Sequence, residues 1–524
     1  MKKTYILILS LLTLGSCSED FLNSEPITDL TDVNYYKTPQ DAMDALAGVY
    51  DGMQRVSAEG IAMPLASEIL SDDCYGGTGN SDGYGFQAID EFDQSRSPSD
   101  TEMFSGNWKA YYAAIYRCNV LINKLDQIDW SSDEDLRNSV ESQARYIRGY
   151  LYFDMVRLWG NIPLLTEPST ENLPQADPSE VYTVIAQDLL FAAENLPATA
   201  YNTVPNGRVT KWAAKSMLGR VYLYYTGYYG TSDLVGIVSK AEALGHLEDV
   251  ISTSGHALVN DFSTLWPAAS LENYAGEDNS EIVFSVKHTF TSDYDGNTDG
   301  NHWMVMFGMR EFSYYPYGNG WGVTVSKKLW DAYSEDDLRA VASVIAVEEE
   351  GIPFNKIDSQ REYTGYYNKK YTPMVDEEGN STVIPLGGTN FMIGQFQDYF
   401  VMRYSDVLLM AAELGSANAQ TYFDEVRQRA YKDNFTPLAI SQANIIKERH
   451  LEFALEGIRY WDLLRQGVNV AASTISETTP VLSGGIPETK TISSSKIELT
   501  KGLQQIPNSQ ITLSNGVLQQ NAGW

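Results

Sequence analysis

The chain has 524 residues and a formal net charge of −32, from 69 acidic against 37 basic side chains. That is ample length for a large core or more than one domain, and a charge this negative repels nucleic acid and anionic lipid surfaces, which excludes both as partners. Five scattered histidines and three cysteines, with no HExxH and no Cys-x-x-Cys, form no zinc-ligand spacing, so neither metal nor cofactor is expected.

Lys2 and Lys3 precede an apolar run from Tyr5 to Leu14, and Leu14-Gly15-Ser16-Cys17 follows it. The run is shorter than the roughly 20 residues of a membrane-spanning helix. It is a lipoprotein signal peptide over 1–16, with Cys17 as the new, lipid-bearing N-terminus. Several acyl chains, at ~0.8 kcal/mol per buried CH2, make such an anchor stable. Residues 17–38 form an arm, and Ser18-Glu19-Asp20 places acid beside the lipid. Cys74 and Cys118 remain available for one disulfide in an oxidising compartment.

Helical spacing then governs the chain from Pro39 to about residue 265, with helices expected at about 41–54, 108–126, 133–159, 178–195, 211–225 and 239–252. Between the first two lies a long stretch, SDDCYGGTGNSDGYGFQAIDEFDQSRSPSDT, that reads as a loop. Tyr75, Tyr84 and Phe86 on it are apolar bodies in a polar setting, a first set of ligand-contact candidates. Leu218-Gly219-x-x-Tyr222 is half of a tetratricopeptide signature, although Lys215 stands where that signature has Trp.

From 266 to 395 the helical rhythm fails, and short β-like runs such as Glu281 to Lys287 alternate with turn chemistry. Trp303, Phe307, Tyr314, Tyr315, Tyr317 and Trp321 crowd into nineteen residues there, and Gly318, Gly320 and Gly322 keep the stretch from forming a helix. Flat rings suit the C–H faces of sugars, while Asn301, Arg310 and Asn319 offer hydrogen bonds to hydroxyls. The preceding DYDGNTDGN has oxygens at alternate positions, but Met304 in the twelfth place is incompatible with an EF-hand.

Helical order returns at Phe400 and leads to Ile445–Gly467, read as one helix packed on two sides. Glu448, Glu452 and Glu456 stack on it at i, i+4 spacing, a like-charge column that needs cations. Arg449 and Arg459 flank it, and Arg403, Arg427 or Arg429 are further candidates.

Several segments resemble the SusD/RagB family of outer-membrane nutrient-binding lipoproteins of Bacteroidetes. ERHLEFALEGIRYWDLLRQG is similar to that family's ER..EL..EG.R..DL.R signature. ARYIRGYLYFDMVRLWGNIPLL, RYSDVLLMAAELG and the tail GLQQIPNSQITLSNGVLQQNAGW match further segments in order, with Ser405 in place of the usual Ala and departures at Gln504-Gln505 and Ser514-Asn515. The resemblance implies a mostly α fold: a tetratricopeptide-like scaffold of helical hairpins at 39–265 and 396–467, a loop-rich ligand lobe with short β elements at 266–395, and a tail at 468–524. It also implies a cell-surface protein that captures oligosaccharide or polysaccharide and delivers it to a SusC-like TonB-dependent transporter, touching the membrane only through the Cys17 lipid. Some family members take peptides, which leaves the ligand class open. A glycoside hydrolase would need two carboxylates about 5 to 10 Å apart across a cleft, and nothing in the sequence singles out such a pair. The family's binding rings lie in variable loops, so no ligand-binding residue carries over by motif.

Overall fold

A computed structural model describes residues 35–58, 60–131, 133–169, 171–203, 207–293, 299–388 and 390–524. The signal peptide, Cys17 and most of the arm lie outside the described residues, as does the centre of the DYDGNTDGN stretch. No helix among the described residues is long and apolar enough to cross a membrane.

Successive helices form the scaffold: Pro39–Ala58, Ser105–Lys124, Glu134–Trp159, Pro178–Asn195, Lys211–Tyr229 and Lys240–Thr253, each packed on its neighbour in this series. Local chemistry places their ends. Asp177 and Glu180 close a capping box with Pro178 in the first turn, Ser239 and Glu242 close another, and Thr210 caps the helix that Gly230 ends in a left-handed turn. Tyr404–Glu413, Ala419–Tyr431 and Gln442–Phe453 extend the scaffold.

Two expectations are corrected. The segment from Phe400 begins as a strand: Tyr399–Arg403 pairs antiparallel with Ile282–Val286, both fully buried, and helix starts only at Tyr404. This pair ties the two ends of the 266–395 lobe to the scaffold. The Ile445–Gly467 segment is two helices, because Leu455 and Gly457 take φ of 67° and 76° and break it before Arg459–Leu464. The break turns the Gly457 N–H onto the Glu68 carboxylate, 2.5 Å away. A Cβ at Gly457 would stand 3.1 Å from both Pro64 Cα and the Tyr399 hydroxyl. Gly457→Ala should therefore cost about 1–3 kcal/mol of unfolding free energy in urea titration; an unchanged midpoint would mean the turn relaxes freely.

The lobe has its own small core of Ala268, Met309, Tyr317, Ile345, Val347, Ile352 and Tyr367, beside the main one. Buried charge joins lobe to scaffold. Arg403 reaches Glu456 (2.7 Å), Glu281 (2.6 Å) and Glu452 (2.8 Å). Arg429 bridges Glu281 and Glu452. Arg427 stands 3.4 Å from Glu448. From the lobe come two cations not anticipated above: Arg339 on Glu448 and Glu452, and Lys370 on Glu456. Arg449 and Arg459 turn instead to Asp406, Asp462 and Asp72. The tail adds a hairpin, Glu477–Ser483 with Ile486–Ile492, whose Lys490 is buried against Asp90 and Glu362. Cys74 and Cys118 are both buried free thiols.

Candidate ligand-binding site

The aromatic residues singled out in the sequence separate into two groups. Trp303 is 3% exposed and stands against Tyr371 (ring centroids 4.8 Å) and Tyr399 (5.6 Å), so it has no ring face left for a ligand. Asn301 is fully buried, its side chain capping the turn at Met304 and donating to the Gln397 carbonyl. Tyr317 lies in the lobe core with its hydroxyl on Glu350 (2.6 Å), and Tyr75 is buried with its hydroxyl on Glu477 (2.8 Å). Phe86 is half-buried against the main core. The expectation of ligand contact fails for Asn301, Trp303, Tyr75 and Tyr317 because packing consumes them.

The second group reaches the surface. Strands Met309–Arg310 and Asn319–Gly320 run parallel and bring Arg310 beside Trp321. Glycine makes this approach possible, since a Cβ on Gly320 would fall 2.2 Å from the Val305 carbonyl oxygen. The Arg310 guanidinium lies 5.3 Å from the centre of the half-buried Trp321 ring. It also reaches across to Asp82 at 3.3 Å, a residue of the 71–101 segment. That segment is mostly loop but contains a short helix, Gly85–Asp90. Tyr84, 39% exposed, precedes that helix and carries the Arg361 guanidinium 4.0 Å from its ring centre. The loop that carries Asp82 and Tyr84 thus meets Arg310 and Trp321, which come more than 220 residues later, and the four make up a candidate platform.

Tyr314 and Tyr315 sit at the tip of the neighbouring turn, each 42% exposed, where reciprocal backbone bonds between Tyr314 and Tyr317 close the turn. Asn319 is half-buried; its Oδ1 and the Arg310 Nε are both buried atoms without a hydrogen-bond partner. The Tyr84, Tyr314, Tyr315 and Trp321 rings beside the Arg310 guanidinium thus combine ring faces with a hydrogen-bond donor, the chemistry of polyol recognition. Sequence reasoning missed Asp82, Gln360 and Arg361, because only long-range contacts bring them here.

Among the described residues, one group has metal-ligating residue types within reach of each other: Asp72, Asp73 and His450. Arg459 already takes both Asp72 oxygens at 2.8 and 3.0 Å, and His450 sits 2.6 Å from Asp73 Oδ1.

Residues 20–223 match a family described as starch-binding and associating with the outer membrane, and residues 350–524 match the SusD family. Arg310 and the Tyr314–Trp321 turn fall between the two matches. A SusD-like protein P2 of Formosa agariphila is 27% identical over 504 residues, covering 89% of this chain and 91% of its own. A SusD-like protein of Bacteroides ovatus is 25% identical over 493 residues, covering 88% and 82%. Among solved structures, a laminarin binding SusD-like protein is 28% identical with a TM-score of 0.73, covering 93% of this chain and all of its own. Surface glycan-binding protein A from Bacteroides fluxus, 24% identical with a TM-score of 0.75 and the same coverage, shares the fold. The order of hairpins, the lobe between paired strands and these matches along the chain lead to one assignment: this protein belongs to the SusD family.

Proposed function

We propose that the protein is a cell-surface glycan-binding lipoprotein, anchored through Cys17 in the outer membrane, that captures oligosaccharide and passes it to a SusC-like TonB-dependent transporter. The observation that carries this reading is the surface group of exposed Tyr84 and half-buried Arg310 and Trp321, set on the fold of a relative described as laminarin binding. Stacking on rigid rings with a few hydrogen bonds gives modest affinity, which suits a protein that must release its ligand. Nothing in this role requires a chemical step, and no bond of the ligand is broken.

The test is titration calorimetry of residues 18–524 against laminarin, other neutral and acidic polysaccharides, and mixed peptides. Saturable binding of at least one polysaccharide is expected, with laminarin the first candidate. Binding of peptides with no polysaccharide bound would overturn the glycan reading and leave the family assignment standing.

A further inference from the structure

Arg361 lies outside the sequence motifs, yet its side chain binds the platform's loop directly. Its side chain is buried. One terminal nitrogen donates to the Gly83 carbonyl (2.9 Å) and to Gln87 Oε1 (3.3 Å); the other donates to the carbonyls of Asn80 (3.0 Å) and Asp82 (2.7 Å). The guanidinium also lies over the Tyr84 ring, 4.0 Å from its centre, with the Arg96 guanidinium 5.9 Å from the same centre. Only a planar fork with several fixed donors meets three carbonyls of one loop while stacking on a ring; a lysine ammonium has neither the span nor the plane.

The backbone beneath Arg361 is fixed as well. Its N–H donates to the Thr78 carbonyl (2.8 Å), and the neighbouring Gln360 side chain donates to the carbonyls of Thr78 (3.1 Å) and Gly322 (2.7 Å). Gly322 follows Trp321 directly, and a Cβ there would fall 2.6 Å from Gln360 Oε1. Gln360 and Arg361 therefore reach both the loop that carries Tyr84 and the strand end that carries Trp321.

We infer that Arg361 is a positioning residue for ligand binding: it holds the 78–84 loop so that the partly exposed Tyr84 ring is set at a fixed distance from Trp321. The inference rests on the platform proposed above as the glycan site. Ligand would then meet a preorganised surface instead of ordering the loop itself, which is where the affinity gain arises.

The experiment compares wild type, Arg361→Lys, Tyr84→Ala, the double variant and Trp321→Ala. Amide hydrogen exchange without ligand is read first. In Arg361→Lys, exchange across 78–84 should rise about tenfold or more while the 319–322 segment and the scaffold helices keep their protection. Unchanged exchange at 78–84, or a loss of protection throughout the chain, overturns the assignment whether or not any glycan binds. Laminarin titration is read second. Arg361→Lys should weaken binding about fivefold alone and less than about twofold in the Tyr84→Ala background, because the effect passes through that ring. Equal losses in both backgrounds would overturn the positioning role. Loss in Trp321→Ala with none in Arg361→Lys refutes Arg361 alone, whereas unchanged binding in Trp321→Ala refutes the platform.

Discussion

Arg403→Ala is expected to lower the unfolding free energy by about 3–5 kcal/mol in urea titration, the cost of removing one partner from a buried ion cluster. The guanidinium is fully buried, and its loss leaves Glu281, Glu452 and Glu456 facing one another with Arg429, Arg339 and Lys370 as the remaining cations. Desolvation raises the pKa of a buried carboxylate, but Arg429, Arg403 and Arg339 outweigh it at Glu452 and hold that carboxyl well below its ordinary range. The sign of the pH effect follows. A depressed folded value contributes stability that is complete above the unfolded value of about 4.3 and is lost as the pH falls below it. Arg403→Ala should therefore flatten the acid limb of the stability curve as well as lower it. Lys327→Ala is the comparison, because its pair with Asp331 is more than half exposed on both sides and should be worth no more than about 0.5 kcal/mol. Equal effects from the two substitutions would mean that the cluster does not join lobe to scaffold.

The second large effect is on binding. Trp321→Ala should weaken glycan affinity about tenfold or more, ~1.4 kcal/mol, with little change in unfolding midpoint. The ring is half-buried, its polar neighbour Arg310 is held by Asp82, and large aromatic side chains in such settings carry a disproportionate share of binding energy. Calorimetric titration with the polysaccharide bound by wild type reads the effect directly. An unchanged affinity would move the ligand to the exposed Tyr314–Tyr315 turn or elsewhere.

Much of the scaffold was legible because its signals are local. Asp177-Pro178 and Asn195 bound a helix in the structure where the sequence places one, and Ser239 and Asp133 are the caps their spacing announces. The two scaffold corrections arise where long-range contacts overrule local pattern. Val401 and Met402 continue an apolar run into a helix, and only pairing with Ile282–Val286 makes them strand. Leu455 carries no turn signal, yet it adopts a positive φ so that Gly457 can meet Glu68. The need for cations around the glutamate column was readable from charge spacing, and three of the arginines that meet it were named; Arg339 and Lys370 were not, because they come from the lobe.

The platform was legible in composition and not in detail. Trp303 and Trp321 stand in the same aromatic-rich stretch, and nothing local distinguishes them. Tyr371 and Tyr399, brought in by the strand pair, bury the first, while the parallel strands turn the second toward Arg310. Arg361 was invisible for the same reason: its partners lie some 280 residues earlier.

The most direct test of the central claim is a crystal structure of residues 18–524 with a short oligosaccharide of whichever glycan binds in solution. A sugar ring lying on Trp321, with hydroxyls in hydrogen-bond contact with Arg310 or Asn319 and the chain bounded by Tyr84, is the predicted result. A sugar bound elsewhere, with Trp321 and Tyr84 both bare, would contradict it.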